Sequence, residues 1–231
     1  MTAAVPHPAA TVVVLRPALG GGAPEILMVR RTRNATFMAD AFVFPGGRVE
    51  DDDGPRAGDA LAPWRAAAAR ELFEEAAVRV DPATLVPFAR WITPAAEPKR
   101  FDACFFLAIV PAGTAATADA SEVVEPLWAT AAEVLARHDA GRLKLPPPTL
   151  RTLEQLSGFA STEAIVEWAA RRPLDPIQPK LVADGGEPTI VLPWDAGYAA
   201  LPGEGLPIDA GSPLAEGPSR YVLRDGRFRP A

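Results

Sequence analysis

The chain alternates short apolar runs with polar or Gly/Pro breaks, and the spacing of its apolar positions changes along its length. Thr11–Arg16 and Glu25–Arg30 are runs of β-branched and apolar residues flanked by Pro and Gly. They predict two strands paired across the PALGGGAP turn. Phe42–Phe44 predicts a short third strand that ends at Pro45-Gly46-Gly47. A polar loop, EDDDGPRAGD, leads to an alanine-rich stretch from Pro63 to Ala77, where helix propensity and a leading proline predict a helix. Phe101–Val110 is apolar almost throughout, as a strand covered on both faces would be. Thr130–Ala140, Thr149–Ala160 and Thr162–Arg172 predict three further helices. The order of these elements implies an α/β (α+β) fold with a mixed sheet and helices packed against it.

From Pro173 onward the pattern changes. Pro/Gly steps recur every few residues, and the 26 prolines and 18 glycines of the 231-residue chain are dense there. A boundary near residue 172 divides a main domain, 1–172, from a Pro/Gly-rich C-terminal extension, 173–231. Thr189–Leu192 and Tyr221–Arg224 are its strand-like patches, and its proline spacing forbids long regular elements. Trp194, Tyr198 and Phe228 favour an extension packed on the domain or on a partner subunit over a disordered one.

Charge narrows the class. There are 23 basic against 29 acidic residues, a formal net charge of −6, so the chain offers no broad cationic surface and no nucleic-acid partner is expected. A single cysteine, Cys104, rules out an internal disulfide and fits a reducing compartment. No apolar stretch approaches the roughly 18 residues of a membrane span, and the first residues lack a basic leader. A cytoplasmic protein without a membrane partner is the expectation. Cys104 lies inside an apolar strand and reads as a core residue, while His7 and His138 have no partners at ligand spacing.

The informative stretch is Arg70-Glu71-Leu72-Phe73-Glu74-Glu75. At helical spacing Glu71, Glu74 and Glu75 share an arc of about 100°. Three carboxylates so close repel one another, and the single guanidinium of Arg70, which can pair with Glu74 at i, i+4, does not neutralise them. A hard divalent cation such as Mg²⁺, which takes oxygen ligands, would. Taken alone the run also reads as a solvated acidic helix face. Upstream, however, Phe44-Pro45-Gly46-Gly47-Arg48-Val49-Glu50 places a strand and a Gly-Gly turn where backbone can approach a metal or phosphate closely.

FPGGRVE followed by RELFEEAAV resembles the Nudix box, the signature of the Nudix hydrolases: Gly, five residues, Glu, seven residues, then REUxEExGU with U aliphatic. Gly47 matches the first glycine of the pattern, and Arg70, Glu71, Leu72, Glu74, Glu75 and Val78 match its core. The resemblance implies a Nudix-type α/β/α sandwich. It implies that Glu71, Glu74 and Glu75, with the carbonyl of Gly46, bind Mg²⁺ or Mn²⁺, and that Arg70 orients a carboxylate. The box spans residues 46–78 with a lengthened loop at 51–62. Between Gly47 and Arg70 stand 22 residues, nine more than in the pattern, a surface insertion of modest entropic cost. Asp53 stands at the distance of the pattern's loop glutamate, but Asp51, Asp52, Asp53 and Asp59 are all read as solvated loop acids. Ala77 replaces the glycine at the helix exit.

Three further segments resemble the acyl-CoA diphosphatase subgroup of that family, peroxisomal and bacterial: Thr93-Pro94 followed by Arg100-Phe101-Asp102, then Glu122 through Trp128, then Pro146-Pro147-Pro148-Thr149. The resemblance implies a small-molecule nucleoside diphosphate derivative as substrate, foremost CoA or an acyl-CoA, cut to adenosine 3′,5′-bisphosphate and (acyl-)phosphopantetheine. ADP-ribose or NADH stays open, because the stretch Ala35–Ala41 departs from the CoA-associated pattern. A Nudix-fold module that binds nucleotide without cleaving it is the alternative from another class. Glu122, favoured over Glu125, is the candidate further ligand or general base. Arg31, Lys99 and Arg100 are the candidates to hold substrate phosphates. The extension is expected either to make homodimer contacts or to cover the substrate.

Overall fold

The computed structural model describes residues 3–34, 38–54, 59–120 and 122–231. Among the described residues an eight-stranded mixed sheet runs through the molecule. Its central strand is β1 (His7–Arg16), parallel to β6 (Phe101–Ile109) along most of its length and flanked on its other edge by β2 (Glu25–Arg31) and β4 (Gly46–Arg48). Beyond β2 lie β3 (Phe42–Val43) and β7 (Val123–Thr130), and beyond β6 lie β5 (Val86–Ile92) and β8 (Pro176–Ile177).

The unbroken apolar runs follow from two covered faces, since successive strand residues point to opposite sides. Val12, Val14, Leu27 and Val29 face α1 (Ala62–Ala76), which packs through Ala67, Ala68, Leu72 and Ala76. The small side chains of that helix let its backbone lie close to the sheet. Val13, Leu15, Met28, Phe105 and Leu107 face the other side. There α2 (Ala131–Asp139), α3 (Pro147–Leu156) and α4 (Thr162–Ala170) close the second layer with Val134, Leu153 and Ile165.

The segment after residue 172 joins this second core. β8 pairs in parallel with β5 through Arg90↔Pro176 and Trp91↔Ile177. β9 (Lys180–Asp184), β10 (Glu187–Val191), β11 (Arg220–Arg224) and β12 (Arg227–Pro230) form a separate antiparallel sheet. Leu192, Leu214 and Tyr221, all fully buried, belong to the same cluster as Phe88 and Leu153. Polar locks hold the segment down: the Tyr221 hydroxyl donates to Glu154 at 2.5 Å, and Arg172 Nη1 donates to the Pro213 carbonyl at 2.8 Å. The amine of Lys180, itself buried, donates to the carbonyls of Tyr198 and Leu201. His138 is buried against the Phe228 carbonyl at 2.8 Å. Among the described residues no helix is long and apolar enough to cross a membrane.

Candidate active site

The site is assembled where α1 crosses the Gly46-Gly47 turn. That turn is itself a strand: β4 pairs with β1 through Ala9↔Arg48, Ala10↔Gly47 and Thr11↔Gly46, which seats the two glycines beneath the helix. A Cβ on Gly46 would meet the Ala10 carbonyl, so that position needs the bare backbone, and one on Gly47 would force the Glu71 carboxylate to shift. The amide of Gly46 donates to Glu75 Oε2 at 3.0 Å.

The three glutamates of the helix occupy different environments. Glu75 is 3% exposed and has no ion pair among the described residues. Burial pushes its carboxyl up to about 8; the Gly46 amide and the charge of Arg31 oppose that rise, while Glu71 and Glu122 add to it. Glu71 is shifted upward for the same first reason, burial, against the pull of Arg70 and with the charges of Glu74 and Glu122 adding to the shift. Glu74 is the exposed member and accepts from Arg70 Nη1 at 3.1 Å; the same nitrogen donates to Glu71 at 2.8 Å.

Arg70 has a stronger partner that sequence reasoning assigned to solvent. The Asp53 side chain is 4% exposed and takes Nε and Nη2 of Arg70, each at 3.0 Å, while Arg70 Nη2 also reaches the Arg48 carbonyl. Asp53 is fixed in turn by the Glu50 amide at 2.8 Å, in a single turn of 3-10 helix at Asp51–Asp53. Reading all four loop acids as solvated is therefore corrected for Asp53. Its spacing from Gly47 was the available signal, and the acidic run around it masked that signal. Residues 55–58 of the lengthened loop lie outside the described residues.

Strand pairing brings the remaining groups to the helix. Arg31 sits at the end of β2 on the face that carries Leu27 and Val29, where its charge bears on Glu75, and its Nε is buried without a hydrogen-bond partner. Its neighbour Arg30 points to the other face and pairs there with Glu125 at 3.3 Å. Glu125 thus belongs to a strand, away from the acidic helix. Glu122 precedes that strand, exposed, and its charge bears on both Glu71 and Glu75.

Two predicted phosphate holders stand elsewhere. The Arg100 side chain is 2% exposed, and its donors reach the carbonyls of Thr93 and Ala4 and the carboxylate of Glu204. It ties the β5–β6 hairpin to the N-terminal segment and to the extension, which corrects its assignment to substrate. Charge alone could not distinguish a buried clamp from a ligand group. Lys99 is exposed, with its amine 5.5 Å from the centre of the Phe101 ring. Cys104 is a buried core residue, its thiol pushed up to about 12 by burial.

Glu71, Glu74, Glu75 and the Gly46 carbonyl are hard oxygen donors of the kind that suit Mg²⁺ or Mn²⁺. Glu75, buried without an ion pair and holding its proton up to about 8, is the donor whose ionised form a nearby cation would favour most. Among the described residues no three acids, histidines or cysteines are grouped as a metal-binding set. Glu71 and Glu74 are instead drawn to Arg70 and Glu75 to the Gly46 amide.

The chain is similar to known proteins along most of its length. It is 28% identical over 196 residues to the Caenorhabditis elegans protein named "Putative nudix hydrolase 7", covering 69% of this chain and 65% of that one. It is 29% identical over 127 residues to the human protein named "Acyl-coenzyme A diphosphatase NUDT19", covering 55% of this chain and 31% of that one. The chain thus spans less than two thirds of the length of both relatives. Its fold is shared with a NUDIX hydrolase from Alicyclobacillus acidocaldarius, at a TM-score of 0.63 and 24% identity, covering 73% of this chain and 99% of that one. With the model of the NUDIX domain matched over residues 5–147, around a Gly-Gly turn that seats an Arg-Glu-x-x-Glu-Glu helix, the chain belongs to the Nudix family.

Proposed function

We propose that this chain hydrolyses the diphosphate linkage of a nucleoside diphosphate derivative, foremost CoA or an acyl-CoA. The observation that carries the reading is Glu75, a buried carboxyl on a helix with two more glutamates, held by the Gly46 amide and facing Arg31. A binding module would have no use for so costly a cluster. The narrower substrate rests on the name of the human relative, whose match is 29% identical and confined to 55% of this chain. It rests also on the three segments that resemble that subgroup.

Glu71, Glu74, Glu75 and the Gly46 carbonyl would hold Mg²⁺ or Mn²⁺, which when bound supplies charge neutralisation for the diphosphate and acidifies water. The other roles fall to side chains of this chain. Arg31, with an unpartnered Nε, holds a phosphate oxygen. Arg70, gripped by Asp53, keeps Glu71 and Glu74 on one side of the helix. Glu122 takes the proton of the attacking water. The test is product formation by the purified protein with Mg²⁺ from CoA, acetyl-CoA, ADP-ribose, NADH and diadenosine polyphosphates in parallel. CoA and acetyl-CoA are expected to lead, and Glu74→Gln is expected to lower their turnover. Preference for ADP-ribose or NADH moves the substrate assignment, and unchanged turnover in Glu74→Gln contradicts the site.

A further inference from the structure

Glu122 stands at the end of the long connection between β6 and β7, where its charge bears on Glu71 and Glu75, and that connection is fastened at three points. The Thr117 amide donates to the carbonyl of Ala76 at 2.9 Å, so the connection is tied to the last turn of α1 itself. The Thr32 amide donates to the Glu122 carbonyl at 3.0 Å, which ties the other end to the residue after Arg31. Between the two, the Asp119 carboxylate accepts the amides of Glu122, at 3.2 Å to Oδ2, and of Val123, at 3.1 Å to Oδ1. Ala120 lies within this turn at φ 64°, a left-handed conformation that a side chain bearing Cβ adopts only when its surroundings impose it. At the start of β7 the register shifts between Arg30 and Arg31, and an irregularity of this kind re-aims the residues beside it.

We infer that Asp119 is a positioning residue for the reaction: its carboxylate gathers two consecutive amides and so fixes the backbone from which Glu122 projects toward Glu71 and Glu75. The inference rests on the proposed role of Glu122. The connection is also pinned to α1 through Thr117, which ties the segment that carries Glu122 to the helix of the three glutamates. A carboxylate acceptor makes each of these hydrogen bonds stronger than a neutral one would. Small displacements of a proton acceptor are costly to the rate, so loss of the turn acts on kcat more than on KM.

Two measurements on Asp119→Ala, Asp119→Asn, Glu122→Gln and the double variant Asp119→Ala/Glu122→Gln separate the claims. In metal-free protein, hydrogen exchange at the amides of Glu122 and Val123 is expected to speed up in Asp119→Ala, with the melting temperature close to that of the parent and a smaller change in Asp119→Asn, which keeps one of the two acceptor oxygens. With CoA, ADP-ribose and NADH as probes in the presence of Mg²⁺, Glu122→Gln and Asp119→Ala are each expected to lower kcat roughly 10- to 100-fold. KM should stay within about twofold, Asp119→Asn should lose less of the rate than Asp119→Ala, and the double variant should be no slower than Glu122→Gln. If Glu122→Gln loses activity while Asp119→Ala keeps the parent rate or the parent exchange pattern, the positioning role is overturned and the role of Glu122 stands. Losses that multiply in the double variant overturn it equally. Parent activity in Glu122→Gln, or no turnover of any probe by the parent, overturns both.

Discussion

Asp53 is a carboxylate buried with a cation in its grip, and Glu75 is one buried without, so substitutions at the two should act in opposite directions. Asp53→Ala leaves Arg70 without the partner that takes two of its donors, and hydrogen bonds to charged groups at such sites contribute about 1.5–3 kcal/mol. Its urea midpoint should fall accordingly, whereas the exposed neighbour Asp51→Ala should stay within about 0.5 kcal/mol of the parent. Glu75 behaves differently because its carboxyl is raised from about 4.5 to about 8. The folded state therefore holds the proton more tightly than the unfolded chain, and the stability this contributes is full below about 4.5 and lost as pH climbs through about 8. Melts of the metal-free protein from pH 5 to 8.5 should show a falling transition temperature. Glu75→Gln, which still accepts from Gly46, should flatten that fall, and a parent profile that rises over the range would contradict the assignment.

The acidic helix ends as the box pattern requires, but an alanine stands at the exit. Ala77 adopts φ 57°, ψ 22° and donates its amide to the Phe73 carbonyl, the left-handed exit that glycine adopts without strain. Ala77→Gly should therefore stabilise the protein by about 1 kcal/mol in thermal or denaturant unfolding, with activity retained. This element was legible because everything that specifies it is local: alanine content, a leading proline, and three glutamates on one arc. The strands that complete the site were not. In β5 a proline at position 87 and a register shift between Pro87 and Ala89 break the alternation that would have revealed it. In β7, Pro126 and Glu125 interrupt the apolar run of Val123–Thr130 and hide the strand, and Glu125 pairs with Arg30 on the other face. The nearness of Arg31 and Glu122 to Glu75 depends on β2 pairing with a strand some 90 positions away, which no local pattern encodes.

At the scale of the whole molecule, the proline-rich segment beyond residue 172 is fastened to the core of the first 172. Composition marked where regularity weakens, yet Leu192, Leu214 and Tyr221 fill the same cluster as Phe88 and Leu153, and β8 extends the main sheet. A chain ended after Arg172 would expose that cluster and strip Arg172 and Glu154 of their partners at Pro213 and Tyr221. It should lose the cooperative thermal transition of the full chain; a truncated protein that melts sharply at the parent temperature would show the extension to be separable. Arg100 joins the same argument, since its contacts to Ala4, Thr93 and Glu204 bind both ends of the chain to one hairpin.

The central claim is that the helix from Arg70 to Glu75 is the seat of diphosphate hydrolysis, and mass spectrometry of the products from CoA with Mg²⁺ tests it most directly when the parent and Glu75→Gln are run side by side. Adenosine 3′,5′-bisphosphate and phosphopantetheine in equal amounts from the parent, with a rate lower by roughly 10- to 100-fold in a folded Glu75→Gln, is the predicted result. Equal rates in the two proteins, or products cleaved anywhere but the diphosphate, would contradict it.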